Sequence, residues 1–243
     1  MKTPAPCRGA AVAGAVLSAA LLTGCAGTSG GSVAASPSSS AVAYHGVEPQ
    51  PVPARPDFAL TDLSGERYDF AAETRGRPTL VYFGYTDCPD ECPTAMADIT
   101  TALRQTDAGL RDEVEVVFVT TDPERDTPAV LREWLGAFSP RIVGLIGTVA
   151  EVAAAQRAVG IEAAKRGAAV PTLPGRPKEH EHQAGTAPHR HSRPLGYSVE
   201  HANVIFAYDA TDRLPVLYPG GVTPADIAAD LPVLADPPAQ EDS

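Results

Sequence analysis

Cys88 and Cys92 enclose the tripeptide Pro89-Asp90-Glu91 and directly follow the apolar run Leu80-Val81-Tyr82-Phe83-Gly84-Tyr85. Two soft sulfurs this close can hold a soft metal such as Cu(I), or they can cycle between dithiol and disulfide. A purely structural disulfide gains little here, because so short a loop hardly restrains the unfolded chain. Cys92 stands before Pro93, and the residue before a proline is biased out of helical geometry, while a proline suits the first helical turn. The pattern therefore places the thiols at a helix N-terminus. Its partial positive charge favours thiolate, and with it both metal binding and nucleophilic attack. The spacing between the cysteines leaves a loop wide enough for a metal bridged by both sulfurs.

A metal needs a third donor. The six histidines are His45, His180, His182, His189, His191 and His201. His201 stands apart, in Val199-Glu200-His201-Ala202-Asn203-Val204-Ile205-Phe206, at the start of an apolar strand. A single histidine there is also readable as an ordinary core or surface residue. His180-Glu181-His182 and His189-Arg190-His191 can chelate Cu(II) or Zn(II) weakly as a second loading site. A solvated loop is the plainer alternative, since no hydrophobic frame fixes those rings. Asp122 and Asp126 follow a second strand. They either orient a metal-binding residue from outside or serve a turn at Asp122-Pro123 and a helix start at Asp126.

These residues need a frame. Leu80 to Tyr85 and Val114 to Val119 are continuous apolar runs and read as buried strands. Met96, Ile99 and Leu103 have helical spacing. Thr127 caps a helix with Pro128 at its first position and Val130, Leu131, Trp134, Leu135 and Phe138 on its apolar face. Ile142 to Ile146 is a short strand, and Thr148-Val149-Ala150-Glu151 is a capping box. Val199 to Tyr208 and Leu214 to Tyr218 read as a hairpin pair, with Thr223-Pro224 opening a last helix. Phe58 to Phe70 contains Ser64-Gly65 and reads as an added N-terminal β-hairpin. The expected fold is α/β: a mixed sheet flanked by helices. Cysteines leaving a central strand and entering a helix are the thioredoxin-like layout, and sites in such sheets form at the carboxyl ends of strands.

The N-terminus reads as an address. Lys2 and Arg8 precede the apolar stretch Ala10 to Leu22, and Leu22-Thr23-Gly24-Cys25 follows, so residues 1–24 are expected to be a signal peptide. The apolar run is short for a membrane-spanning helix, which needs roughly 18–20 residues. The four-residue ending resembles the bacterial lipoprotein signal, in which Cys25 is lipidated. Cys7 is lost with the signal, leaving Cys88 and Cys92 as one pair. Beyond the cytoplasmic membrane such a pair oxidises unless a metal or reductant protects it. Residues 25–52 are rich in Ser, Gly, Ala and Pro and read as a flexible tether. Residues 53–236 suffice for one domain, with a His-rich insert at about 161–196 and a tail at 237–243. The formal charge is −11, or −13 without Lys2 and Arg8, and the remaining basic residues are scattered. That argues against nucleic acid as a partner.

Three blocks carry a family resemblance. Val81-Tyr82-Phe83-Gly84-Tyr85-Thr86-Asp87-Cys88-Pro89-Asp90-Glu91-Cys92-Pro93-Thr94 closely resembles the Sco/SenC family. So do Phe118-Val119-Thr120-Thr121-Asp122-Pro123-Glu124-Arg125-Asp126-Thr127-Pro128 and Val199-Glu200-His201 ahead of a strand. The blocks come in family order, and the likeness spans roughly residues 54–234. The resemblance implies a thioredoxin-like fold and copper held by Cys88, Cys92 and His201. It also implies a role in building the dinuclear copper centre of cytochrome c oxidase, with the oxidase copper-binding subunit as partner and a lipid anchor on the extracytoplasmic face of the membrane. Two thiolates and an imidazole suit Cu(I), and with a further donor Cu(II). The departure from the family is the long stretch Ile161 to Gly196. A thiol–disulfide oxidoreductase that reduces the oxidase cysteines is the competing function, and a peroxidase of the same fold a distant third. A redox enzyme would favour a C-x-x-C pair and a proline opposite the thiols, where this chain has Val199-Glu200-His201.

Overall fold

The structure, a computed structural model, describes residues 43–169 and 197–238. The longest apolar runs form the middle of the sheet. β3 (Thr79–Gly84) is buried throughout and β4 (Glu115–Thr120) at all but its first residue. Both faces of these strands are covered, so they read as continuous apolar runs rather than alternations. They pair in parallel, from Thr79↔Glu115 to Gly84↔Thr120, and β5 (Val143–Ile146) extends the parallel set beside β4. The expected N-terminal hairpin, β1 (Ala59–Asp62) and β2 (Arg67–Asp69), lies antiparallel against β5. On the other side β8 (Val204–Tyr208) runs antiparallel to β3, and β9 (Val216–Pro219) antiparallel to β8. The order is β2-β1-β5-β4-β3-β8-β9, a mixed sheet as expected.

Alternate side chains of β3 enter opposite cores, as the strand period requires. Leu80 and Tyr82 pack with Met96, Ile99, Leu131, Leu231 and Leu234. Val81 and Phe83 pack with Phe70, Val152 and Ala155. Helices α2 (Glu91–Gln105), α4 (Pro128–Gly136) and α6 (Pro224–Ala235) thus cover one face. Helices α1 (Phe70–Glu73) and α5 (Val149–Ala158) cover the other. The caps fall where the sequence puts them: Thr127 accepts from the Val130 N–H, and Thr148 forms a capping box with Glu151.

Four differences stand out. Helix α2 starts at Glu91, so Cys92 and Pro93 both lie inside its first turn. A proline this early meets no preceding helical carbonyl, so its neighbour can stay helical. A short α3 (Ala108–Glu113) follows, too brief to show a period. Val199 to Tyr208 is not one strand. β7 (Tyr197–Glu200) ends, the chain breaks through His201, Ala202 and Asn203, and β8 then begins. β7 instead pairs with β6 (Lys165–Ala169) in a separate two-stranded ribbon, inside the region expected to be loop. Finally, the chain attaches to the domain before residue 53. Val47 exchanges two backbone hydrogen bonds of 2.8 Å with Leu217, and His45 bonds Asp230. Gly46 permits this approach, since a Cβ there would stand 2.4 Å from the Leu217 carbonyl oxygen. The signal segment, Cys25, His180, His182, His189, His191 and the C-terminal tail from residue 239 lie outside the described residues.

This topology fixes the site. β3 ends just before Cys88, and β8, its antiparallel neighbour, starts just after His201. Both sequence-distant segments therefore emerge at the same end of the sheet.

Candidate metal centre

Cys88 sits on a tight turn after β3, its N–H donating to the Tyr85 carbonyl at 3.3 Å. The Cys92 N–H, one of the free donors of the first helical turn, points at Cys88 Sγ at 3.4 Å. His201 Nε2 stands 3.4 Å from Cys92 Sγ. One donor atom from each of Cys88, Cys92 and His201 lies within 4.8 Å of the others. Cys92 is buried and Cys88 half-buried. The floor is Gly84, where a Cβ would come within 2.9 Å of Cys92 Sγ and 2.7 Å of the Tyr82 ring. Tyr82 and Tyr85 flank the imidazole edge-on, with ring centroids 6.2 and 5.5 Å away. Tyr82 also donates its hydroxyl to Asn203 Oδ1 at 3.1 Å, fixing the break between β7 and β8.

His201 Nδ1 lies 3.1 Å from the Ala202 carbonyl oxygen. A carbonyl only accepts, so in the neutral ring Nδ1 carries the proton and Nε2 presents its lone pair to the sulfurs. The thiols share charge unequally. The hydrogen bond from the Cys92 thiol, with help from His201 and the Cys92 and Asp90 N–H groups, holds the Cys88 thiol down at about 3 against the effect of burial. The same contact with a thiolate, and burial, push the Cys92 thiol up. Burial, the largest single influence, favours neutral His201, but the hydrogen bonds with Cys88 and the Ala202 carbonyl and the charges of Cys88 and Glu91 together raise its pKa overall. Burial raises Tyr85 to about 12, so its hydroxyl stays protonated beside the thiolate. Chemically the cluster offers soft metal donors and, equally, a half-buried thiolate beside a buried thiol.

Asp122 and Asp126 serve the surrounding loops rather than the imidazole. Buried Asp126 accepts from the Thr86 hydroxyl and the Thr120 hydroxyl, each at 2.6 Å, and from the Thr86 N–H at 3.1 Å. It ties the cysteine loop to the end of β4. Burial raises its pKa despite those bonds. Asp122 accepts from Arg125 Nε and from the Tyr197 hydroxyl, the latter at 2.9 Å. His45 lies elsewhere, bonded to Asp230. Arg125, Tyr197, Tyr82 and Gly84 are functional neighbours that residue types alone did not single out. Tyr82, Gly84 and Arg125 lie inside the motif blocks and Tyr197 two residues before the third, which was the signal available.

Comparison with known proteins identifies the family and the fold. The SCO1/SenC family model matches residues 47–236. A SCO2-like protein of Rickettsia felis is 41% identical over 96 residues, covering 40% of this chain and 46% of its own. A putative copper-binding protein of Stutzerimonas stutzeri is 33% identical over 107 residues, covering 44% and 52%. The aligned stretches thus span only about half the length of these relatives. Copper-bound ScoI of Bradyrhizobium japonicum superposes with a TM-score of 0.55 at 32% identity, over 74% of this chain and 98% of its own. Apo Sco1 of Thermus thermophilus gives a TM-score of 0.60 at 26% identity, over 79% and 97%. The fold is therefore the thioredoxin-like fold of Sco proteins, and with the family match running from the β-bridge at Val47 to the end of α6, the chain belongs to the SCO1/SenC family.

Proposed function

We propose that this protein is a copper metallochaperone that binds its cargo through Cys88, Cys92 and His201 and delivers it during assembly of the dinuclear copper centre of cytochrome c oxidase. The observation that carries this is the convergence of two sulfurs and one imidazole nitrogen within 4.8 Å, from sequence positions more than a hundred residues apart. Two thiolates and an imidazole suit Cu(I), and an added water or other donor would let the site keep Cu(II). Sco proteins as a family are linked to cytochrome c oxidase assembly. The partner is the copper-binding subunit of that oxidase.

The same reading places the domain on the extracytoplasmic face of the membrane, held by a lipid on Cys25 after removal of residues 1–24. A Bacillus anthracis protein of the family is a lipoprotein, although at 17% identity its likeness is one of fold. No helix among the described residues is long and apolar enough to cross a membrane.

One observation favours a second reading, thiol–disulfide exchange. Cys88 is half-buried while Cys92 is fully buried, and the hydrogen bond between them lowers the Cys88 pKa and raises that of Cys92. Cys88 would attack a partner disulfide and displace one partner thiolate. Cys92, giving up its proton, would then attack the mixed disulfide and release the second, leaving the partner reduced and this pair oxidised.

The test is copper stoichiometry and affinity on the reduced protein beside Cys88→Ser and His201→Ala. One tightly bound copper, lost in both variants, is expected. His201→Ala should retain Cys88–Cys92 disulfide formation. Weak copper binding together with rapid disulfide exchange would favour the redox reading instead.

A further inference from the structure

The ribbon of β6 and β7 shares no strand pairing with the seven-stranded sheet, yet His201 follows directly on β7. The imidazole is thus held from two sides, by β8 and the Tyr82–Asn203 bond after it and by the seating of the ribbon before it. Backbone contact is thin: the Val199 N–H reaches the Tyr85 hydroxyl at 3.5 Å. Val199 is buried in the core between the sheet and α2, and the polar and ring contacts of the ribbon converge on Arg125.

The Arg125 side chain is only 7% exposed. Its Nε donates to the buried Asp122 carboxylate. Its Nη1 donates to Asp87 Oδ2 at 2.9 Å and to the Tyr197 carbonyl at 3.1 Å. Its guanidinium lies 4.0 Å from the Tyr197 ring centroid and 5.5 Å from that of Tyr85. Tyr197 closes the circuit by donating its hydroxyl to Asp122. Arg166 of β6 stands 4.2 Å from the same ring and pairs with Glu124. One cation thus touches the residue before Cys88, the loop after β4 and the first residue of β7.

We propose that Arg125 is a positioning residue, clamping the ribbon that carries His201 to the loop that carries Cys88 so that the three donors are assembled before metal arrives. Only arginine suits the post. Its planar fork serves two carboxylates and a carbonyl while its face stacks on an aromatic ring, which a lysine ammonium cannot do. A donor set held by its surroundings spends less ordering entropy on binding. The metal readout below rests on the copper reading; the clamp itself does not.

The experiment compares the reduced full chain in detergent micelles with Arg125→Lys and Tyr197→Leu. Lysine keeps the charge that buried Asp122 needs but loses the fork and the stack. Leucine removes the ring and hydroxyl of the ribbon while leaving Arg125 with Asp122 and Asp87. Amide hydrogen exchange of the metal-free protein is expected to quicken selectively at 197–203 in both variants. Cu(II) affinity should fall about 10- to 100-fold, as is common when a residue supporting a metal ligand is lost. The thiolate-to-Cu(II) absorption should shift toward that of His201→Ala. Unchanged exchange at 197–203 and a wild-type Cu(II) spectrum in both variants would overturn the proposal. If the wild-type chain takes up no copper, the copper reading fails while the exchange data still decide the clamp.

Discussion

At the scale of the residue, the site is built by contacts too close for any other side chain. Gly84 is the sharpest case, because a methyl there would meet the Tyr82 ring, Cys92 Sγ and Phe118 at 2.7, 2.9 and 3.2 Å. All three neighbours are fully buried, so none can yield cheaply. Gly84→Ala should therefore cost about 1–3 kcal/mol in denaturant unfolding of the metal-free protein, the usual range for overpacking. It should also displace the Cys92 sulfur and weaken copper binding. Gly109→Ala is the control, since nothing lies within 4 Å of a Cβ there. Equal stability for the two variants would refute this account of the floor. The cysteines were legible from their spacing and from the proline after them. His201 stood apart from His45 by its place at the start of an apolar strand, but as an isolated histidine it stayed ambiguous until its motif block was taken into account. Arg125 was illegible as a clamp, because its partners Asp87 and Tyr197 are separated from it by long stretches of chain that only folding brings together.

At the scale of the element, local signals worked where a side chain makes the contact. The caps at Thr127, Thr148 and Thr223 and the buried runs of β3 and β4 were all readable. They failed where backbone makes it. β6 has the composition Lys-Arg-Gly-Ala-Ala, with no apolar alternation, and exists through its pairing with β7. The segment around His45 looked like tether, yet it is fixed to α6. His45 Nδ1 meets Asp230 Oδ1 at 2.6 Å, and Tyr218 donates to the same carboxylate. The hydrogen bond and charge of Asp230 raise the His45 pKa above its ordinary value. A raised basic pKa contributes stability below the unfolded value, about 6.5, and that contribution is lost as pH rises through the folded value. The stability difference between wild type and His45→Gln should therefore shrink from about pH 5.5 to about pH 8.5 in thermal melts. A difference that stays constant across that range would show that the imidazole charge contributes nothing.

At the scale of the molecule, the donors come from the main sheet with α2 and from the link between the ribbon and β8. Cys88 and Cys92 belong to the loop after β3 and to α2, whereas His201 lies between the ribbon strand β7 and the sheet strand β8. The charged and aromatic contacts around Arg125 join them. The His-x-His pairs at His180, His182, His189 and His191 fall between β6 and β7, outside the described residues. Deleting 178–193 is expected to leave copper stoichiometry unchanged, because no hydrophobic frame in that stretch of sequence would fix the rings as ligands. A lower copper count in the deletion would instead assign a second loading site to those histidines.

The register of the ribbon carries a further consequence. Ala169 is paired directly with Tyr197, so the chain leaves and returns at neighbouring points. Each doubling of the chain between two such fixed points costs only about 0.6 kcal/mol of closure entropy. Evolution can lengthen or rewrite this stretch without moving His201, and an experimenter can do the same. A small fluorescent module spliced between Ala169 and Tyr197 would be carried by the ribbon that leads into His201, and its anisotropy would report whether that ribbon stays seated.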